Sequence, residues 1–162
     1  MSDLPIIIAG GGIGGLAAAC GLARKGQRSI VVEQAPQLGE IGAGIQIGPN
    51  AFHCFDYLGV GDEARSKAVY IDALRLMDAQ TAEDITRIPL DEPFRKFYGN
   101  PYAVVHRADL HGVLLNYCEH SPLIDLRTNH KVLGYEQDGT SVTLMLDGRD
   151  TIPEGFRVED NL

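Results

Sequence analysis

Glycines near the N-terminus, and one acidic residue after them, have the types and spacing needed to bind a dinucleotide. The apolar run of residues 6–9 leads directly into the pattern G-x-G-x-x-G at residues 10–15. Glu33 follows Gly10 by 23 positions and ends a second apolar run, close to the spacing of about 20 that such sites use. The order predicts a strand, a glycine turn, a helix and a second strand that ends in a ribose-binding acid.

Each position of the motif has a physical role. Gly10 allows the tight turn, Gly12 lets the backbone approach a pyrophosphate, and Gly15 lets the helix lie close to the strands. The helix that starts at Ile13 and Gly14 directs its N–H groups and its positive dipole end toward the phosphates. The alternative interpretation is a glycine-rich turn that binds nothing.

Glu33 has a carboxylate that accepts hydrogen bonds from the hydroxyl groups of an adenosine ribose. Such a charge-assisted hydrogen bond contributes about 1.5–3 kcal/mol. A negative charge at this position disfavours a 2′-phosphate, so NADP is a poor candidate for this site. An alternative interpretation is that the chain is a module that binds NAD at this site.

The elements that position this motif follow from the apolar periodicity. A helix is predicted over residues 13–25, with Gly26 at its end and a second strand behind it. Its inner face is expected to consist of Ile13, Leu16, Ala17, Cys20 and either Ala23 or Arg24.

The middle of the chain has a mixed pattern. Residues 35–48 are predicted as a glycine-rich loop, residues 49–58 as a helix that ends at Gly59, and residues 62–68 as a helical turn. Strands are predicted over 69–77 and 85–90, a long loop over 91–102, a helix over 108–119 and a third parallel strand over 123–126. Short strands over 132–137, 141–146 and 155–159, with turns at Asp138-Gly139 and Asp147-Gly148, predict a β-meander.

Composition bounds the function classes. The 162 residues fit one domain, and 44% hydrophobic with 22% charged residues is typical of a globular protein. The net charge of −8 argues against a nucleic-acid or anionic membrane partner. The sequence has neither a membrane-spanning run nor a signal peptide, which favours a cytoplasmic protein. Its three cysteines (Cys20, Cys54 and Cys118) are widely spaced, which predicts reduced structural thiols and no metal site.

Two further motifs carry a family resemblance. Residues 39–51 read Gly-Glu-Ile-Gly-Ala-Gly-Ile-Gln-Ile-Gly-Pro-Asn-Ala, and residues 106–110 read His-Arg-Ala-Asp-Leu. Together with the glycine motif and Glu33, they resemble the single-component flavoprotein aromatic hydroxylases, an oxidoreductase family of FAD-dependent monooxygenases. Within that family they are most similar to the members that act on 3-hydroxybenzoate and salicylate. The resemblance covers residues 4–148.

The resemblance implies a fold and a cofactor site. The fold is an α/β, Rossmann-like FAD-binding domain of the glutathione-reductase type, with a parallel sheet and a β-meander crossover. Gly10, Gly12, Gly15 and Glu33 correspond to the pyrophosphate and ribose contacts. Further FAD contacts are implied for Gly44 and Gln46 near the flavin, Arg107, and the backbone of Val132 at the adenine. The alternatives are that Gly44 is a plain loop residue, Arg107 pairs with Asp109, and Val132 belongs to a core strand.

The resemblance also implies what this chain lacks. Family members are more than twice as long, and their catalytic residues lie beyond residue 162. The chain is therefore expected to be a truncated, single N-terminal FAD-binding domain, in which residues 69–103 belong to the substrate-side strands. A longer parent would hydroxylate a phenolic acid with NADH or NADPH as a transient reductant. The chain alone would bind FAD or ADP without turnover and would self-associate through uncovered sheet edges. A non-binding structural or interaction fragment is the remaining alternative.

Overall fold

The structure is a computed structural model that describes residues 4–39, 42–138 and 142–147. In chain order its elements are β1 (Ile6–Ala9), α1 (Ile13–Arg24), β2 (Ser29–Val32), β3 (Gly44–Ile47), α2 (Pro49–Leu58), α3 (Gly61–Lys67), β4 (Val69–Tyr70), β5 (Ala73–Met77), β6 (Asp84–Pro89), α4 (Glu92–Tyr98), β7 (Ala103–His106), α5 (Arg107–His120), β8 (Ile124–Arg127), β9 (Val132–Gln137) and β10 (Val142–Leu146). They form two compact units, Met1–Glu40 with His111–Leu162, and Ile41–Leu110. The prediction of a single domain stays a prediction.

The first unit contains the predicted parallel sheet, in the order β1-β2-β8. Ile7 pairs with Ile30, and Ile30 pairs in turn with Asp125. All four residues of β2 are buried because this strand lies between the other two. The strand–helix–strand start and the third parallel strand are therefore as the sequence predicted.

Helix α1 begins at Ile13 as predicted and ends one residue early, at Arg24. Gly26, with φ +73°, follows it in the left-handed conformation that ends helices. Its buried residues are Leu16, Ala19 and Cys20. The predicted inner face is therefore confirmed at Leu16 and Cys20, while Ile13, Ala17 and Ala23 are half-buried and Arg24 is exposed. Ala19, which was not predicted to face inward, is buried as well.

The predicted β-meander is present as far as the structure describes it. Strands β9 and β10 form an antiparallel pair in which Leu144 lies opposite Tyr135. The register shifts between Met145 and Leu146, next to the start of β9. Gly139 and Gly148 of the predicted turns, and the third strand over 155–159, lie outside the described residues.

The second unit holds the antiparallel sheet β3-β7-β4. The prediction that residues 35–48 are all loop was wrong, because β3 pairs with β7, with Ile45 opposite Val105. Ile47 is buried, but the glycines around it interrupt the apolar pattern that predicts a strand. Helix α2 was predicted with its bounds, and Gly59 ends it with φ +82°.

Two other segments of the second unit differ from the prediction. The single strand predicted over 69–77 is divided into β4, which pairs with β7, and β5, which pairs with β6. The loop predicted over 91–102 contains α4. Pro93 was interpreted as a loop residue, but it lies in the first helical turn, where its missing N–H is tolerated. Among the described residues, no helix combines the length and the apolar character required to cross a membrane.

Candidate functional site

The turn between β1 and α1 has the backbone geometry that its glycines predict. Gly10 adopts φ +109°, which side chains rarely allow. A β-carbon at Gly15 would lie 1.9 Å from the carbonyl oxygen of Gly10. Only glycine at 15 therefore permits the first turn of α1 to approach the end of β1 this closely.

The N-terminus of α1 has a backbone arrangement that commonly binds anions in proteins. Gly12 is the extended residue before the helix, at φ −74° and ψ −178°. The first intrahelical bond is donated by the Leu16 N–H to the Gly12 carbonyl at 3.0 Å. The N–H groups of Ile13, Gly14 and Gly15 precede that bond and are those that helices leave for caps, water or ligands. A β-carbon at Gly14 would meet no atom within 4 Å, so there is open space at this point.

Glu33 contacts the glycine turn directly. One carboxylate oxygen accepts the Gly11 N–H at 2.8 Å, and the other accepts the Ala35 N–H at 2.9 Å. These hydrogen bonds, first that of Ala35 and then that of Gly11, lower the pKa of Glu33. A carboxylate has about four acceptor positions, so capacity for ribose hydroxyls remains. Glu33 thus organises the turn, a role that its spacing in the sequence does not reveal.

His111 contacts the same turn and was not predicted to do so. It is 2% exposed, and its Nε2 lies 2.8 Å from the carbonyl oxygen of Gly11. His111 lies in α5, and no motif in the sequence predicts this contact, because it joins residues that are 100 positions apart. The apolar residues around position 111 are the signal in the sequence that the buried face of this helix includes His111.

The second unit brings together the two motifs that the resemblance assigns to the flavin side. A β-carbon at Gly42 would lie 2.7 Å from Cβ of Arg107, so the glycine makes room for the arginine stem. The Arg107 N–H donates to the Ala43 carbonyl at 3.3 Å. Gly44 lies opposite His106 in the sheet.

Gln46 and Val132 are the remaining predicted positions. Gln46 is exposed, and its side-chain oxygen accepts the Tyr102 hydroxyl at 2.8 Å. Val132, in the first unit, begins β9 opposite Leu146 and is half-buried. Their cofactor contacts, like those of the other predicted site residues, stay predictions.

A parallel βαβ core with a glycine turn, an open helix N-terminus and an acid after the second strand defines a dinucleotide-binding α/β domain. Residues 3–155 match the FAD binding domain family. The chain belongs to that family.

Curated relatives agree with this assignment. The chain is 58% identical over 131 residues to 3-hydroxybenzoate 6-hydroxylase 1 of Aquipseudomonas alcaligenes, which covers 81% of this chain and 33% of that protein. It is 52% identical over 143 residues to 3-hydroxybenzoate 6-hydroxylase of Polaromonas naphthalenivorans, with 88% and 36% covered. The chain therefore spans about a third of the length of these relatives.

Solved structures show the same fold. Klebsiella pneumoniae HpxO, complexed with FAD and uric acid, matches with a TM-score of 0.76 at 29% identity, over 90% of this chain and 36% of that one. CtdE, in complex with FAD and a substrate, matches with a TM-score of 0.75 at 26% identity, over 97% and 36%. The predicted resemblance, the α/β FAD-binding fold and FAD as the cofactor of the family are confirmed.

Proposed function

We propose that this chain is the FAD-binding portion of an NAD(P)H-dependent flavoprotein monooxygenase that hydroxylates a phenolic acid of the 3-hydroxybenzoate type. Alone, the chain binds FAD, or the ADP part of it, without turnover. The similarity to two 3-hydroxybenzoate 6-hydroxylases supports the choice of substrate class. The chain covers about a third of each, so the residues of the reaction itself are proposed to lie in the part that it does not cover.

The observation that carries the proposal is the geometry of the glycine turn. Gly10 and Gly15 let the end of β1 and the start of α1 come together, and the N–H groups of residues 12–15 lie at a helix N-terminus. With a net charge of −8, the chain must hold a pyrophosphate through such local donors, since its overall field repels anions. Glu33, beside the turn, provides the acceptor for the adenosine ribose.

The residues present fit FAD. Gly10, Gly12, Ile13, Gly14 and Gly15 would hold its pyrophosphate, Glu33 its ribose and the backbone of Val132 its adenine. Gly44, Gln46 and Arg107 are proposed as flavin-side contacts on the strength of their motifs. FAD, when bound, supplies the redox and oxygen chemistry of the family, while the protein binds, orients and shields it. NADH or NADPH is proposed as the reductant of the longer protein.

The first experiment is the visible absorption spectrum of the freshly purified chain, followed by calorimetric titrations with FAD, ADP and NAD⁺. A flavin band, or affinity for FAD and ADP above that for NAD⁺, is the expected result. Tighter binding of NAD⁺ than of FAD would instead favour an NAD-binding module. A folded chain that binds none of the three would leave a structural or interaction fragment and overturn the proposal.

A pair of glycine variants separates the phosphate site from the fold. Gly12→Val places a branched side chain where the pyrophosphate must approach, and we expect it to abolish nucleotide binding while the far-UV circular dichroism is retained. Gly112→Val is the matched control, because a β-carbon there meets no atom within 4 Å. If the two variants bind nucleotide with equal affinity, Gly12 does not belong to the phosphate site.

Self-association and a cytoplasmic location are proposed together with this function. Strands β5 and β6 form a two-stranded sheet with exposed apolar side chains, among them Leu76 at 58% and Ile85 at 63%. Exposed apolar surface on a sheet favours association with a second copy. Light scattering that gives a monodisperse monomer at all concentrations would contradict this part of the proposal.

A further inference from the structure

We propose that His111 is a positioning residue for the phosphate-binding turn, a role that rests on the proposed function. Its imidazole holds the carbonyl of Gly11 and thereby fixes the direction of the N–H groups that follow. His111 touches the turn from the side of α5 and acts on the nucleotide only through the backbone of the glycine motif.

The hydrogen bond fixes which ring nitrogen carries a proton. A carbonyl oxygen only accepts, so the contact of 2.8 Å requires an N–H on Nε2 of His111. The side chain is 2% exposed. Without His111, the buried carbonyl of Gly11 would lose this hydrogen-bond donor. A buried carbonyl group is costly to leave unpaired.

Gly11 is held on both of its sides. Its N–H donates to the Glu33 carboxylate at 2.8 Å, while its carbonyl accepts from His111 at 2.8 Å. Two successive peptide planes of the turn are therefore fixed by side chains from different elements. The second of these planes also carries the N–H group of Gly12, and the plane that follows it carries the N–H group of Ile13, whose direction depends on it.

The space around Gly11 gives the turn little freedom to relax. A β-carbon at this residue would lie 2.2 Å from Cδ2 of Leu38 and 3.2 Å from Cβ of Glu33. The turn is packed on that side, so the hydrogen bonds at Gly11 act on a backbone with few alternative positions. A rotation of the Gly11–Gly12 peptide would break the bond to His111.

The position of His111 in α5 is otherwise apolar. Around it in the helix, Leu110, Val113 and Leu114 are buried hydrophobic residues with at most 2% exposure. An aliphatic residue at 111 would suit such a face for packing alone. The imidazole is therefore best explained by its contact with the glycine turn.

The test compares His111→Leu, which cannot donate, with His111→Gln, whose amide can donate to the same carbonyl. Leu114→Ala is the control for general loss of packing, because Leu114 is fully buried in the same helix. In each variant without nucleotide, amide hydrogen exchange is measured at Gly11 and, as an internal reference, at Ile30 in the buried strand β2. ADP affinity is then measured by calorimetry.

We expect His111→Leu to speed the exchange of Gly11 relative to Ile30 by about tenfold, the loss that one hydrogen bond represents, and to weaken ADP binding by a similar factor. His111→Gln restores both to within about threefold, and Leu114→Ala changes the two amides alike. In the wild-type chain, the ¹⁵N chemical shifts of the imidazole identify a protonated Nε2.

Equal relative exchange in His111→Leu and Leu114→Ala would overturn the positioning role. So would an unchanged ADP affinity in His111→Leu when the wild type binds ADP. A wild-type chain that binds neither ADP nor FAD, while Gly11 exchange still separates the leucine and glutamine variants, would refute the proposed function and still support the hold of His111 on the turn.

Discussion

The carbonyl oxygen of Gly10 lies where a side chain at Gly15 would have to be: a β-carbon at 15 would come within 1.9 Å of it. No side-chain rotation relieves this contact, because the opposing atom belongs to the backbone. The end of β1 and the first turn of α1 must separate before any larger residue is accepted at 15.

Gly15→Ala is therefore expected to destabilise the chain by about 1–3 kcal/mol, the usual cost of overpacking, and to weaken ADP binding. Gly14→Ala is its neighbouring control. A β-carbon there meets no atom within 4 Å, and alanine favours a helix over glycine by up to about 1 kcal/mol. Thermal unfolding followed by circular dichroism should move in opposite directions for the two variants, and a shift in the same direction would contradict the packing argument.

Glu33→Ala is expected to weaken ADP binding by about tenfold or more, because a charge-assisted hydrogen bond to the ribose is lost. The same substitution also frees the Gly11 N–H, so affinity alone does not isolate the ribose contact. The sharper measurement compares ADP with its 2′,3′-dideoxy analogue in both proteins. The wild type should bind ADP more tightly than the analogue, whereas Glu33→Ala should bind the two equally. If both proteins prefer ADP by the same factor, Glu33 does not contact the ribose.

The pH dependence of stability gives a second prediction for Glu33. Its pKa in the folded chain is lowered by the N–H groups of Ala35 and Gly11, so folding favours the charged form. The stabilisation is present above the ordinary carboxyl pKa near 4.5 and is lost as the pH falls through the lower folded pKa. Glu33→Gln should lose less stability than the wild type between about pH 5 and 3 in urea unfolding. If the free energies of unfolding of the two proteins change in parallel with pH, this prediction is wrong.

Arg65 forms an ion pair of the second unit that has several further contacts. Its guanidinium donates to both carboxylate oxygens of Asp56, at 2.6 and 2.7 Å, and to the Asn100 side chain at 2.8 Å. It also lies 5.4 Å from the ring centroid of Phe52. We expect Arg65→Lys to lower the free energy of unfolding by about 1 kcal/mol, because an ammonium group cannot reproduce the planar fork.

Arg75→Lys is the control for that prediction. Arg75 also makes a two-fold contact, with Asp84, but its side chain is 51% exposed. Exposed pairs contribute little, so chemical denaturation should detect a smaller change in the free energy of unfolding than for Arg65→Lys. Equal effects of the two substitutions would mean that the contacts of Arg65 with Asn100 and Phe52 add nothing.

The sequence predicted those parts of the site in which the contacting residues lie close together along the chain. The strand, turn and helix at residues 6–24 follow from glycine spacing and apolar periodicity, both of which are visible within one short window. Strand β3 was missed because its partner β7 is more than fifty positions away, and nothing within residues 44–47 encodes that pairing. The contact of His111 with Gly11 likewise depends on tertiary packing across 100 positions.

The cysteines show the same limit, because two that are distant in sequence are neighbours in the fold. Sγ of Cys20 lies 3.6 Å from Sγ of Cys118, and both residues are buried as free thiols. Widely spaced cysteines were predicted to be structural, and the spacing gave no indication of this contact. The hydrogen bond with Cys20, together with burial, raises the pKa of the Cys118 thiol.

These positions predict a difference in thiol reactivity. Cys54 is exposed, whereas Cys20 and Cys118 are buried, and a thiol reacts as its thiolate once reagent reaches it. Titration of the native chain with an aromatic disulfide reagent should give one fast equivalent and two that react only as the chain unfolds. Cys54→Ser should remove the fast phase and leave the slow one. Two fast equivalents in the native chain would show that the contact between α1 and α5 opens readily, and would contradict the burial of Cys20 and Cys118.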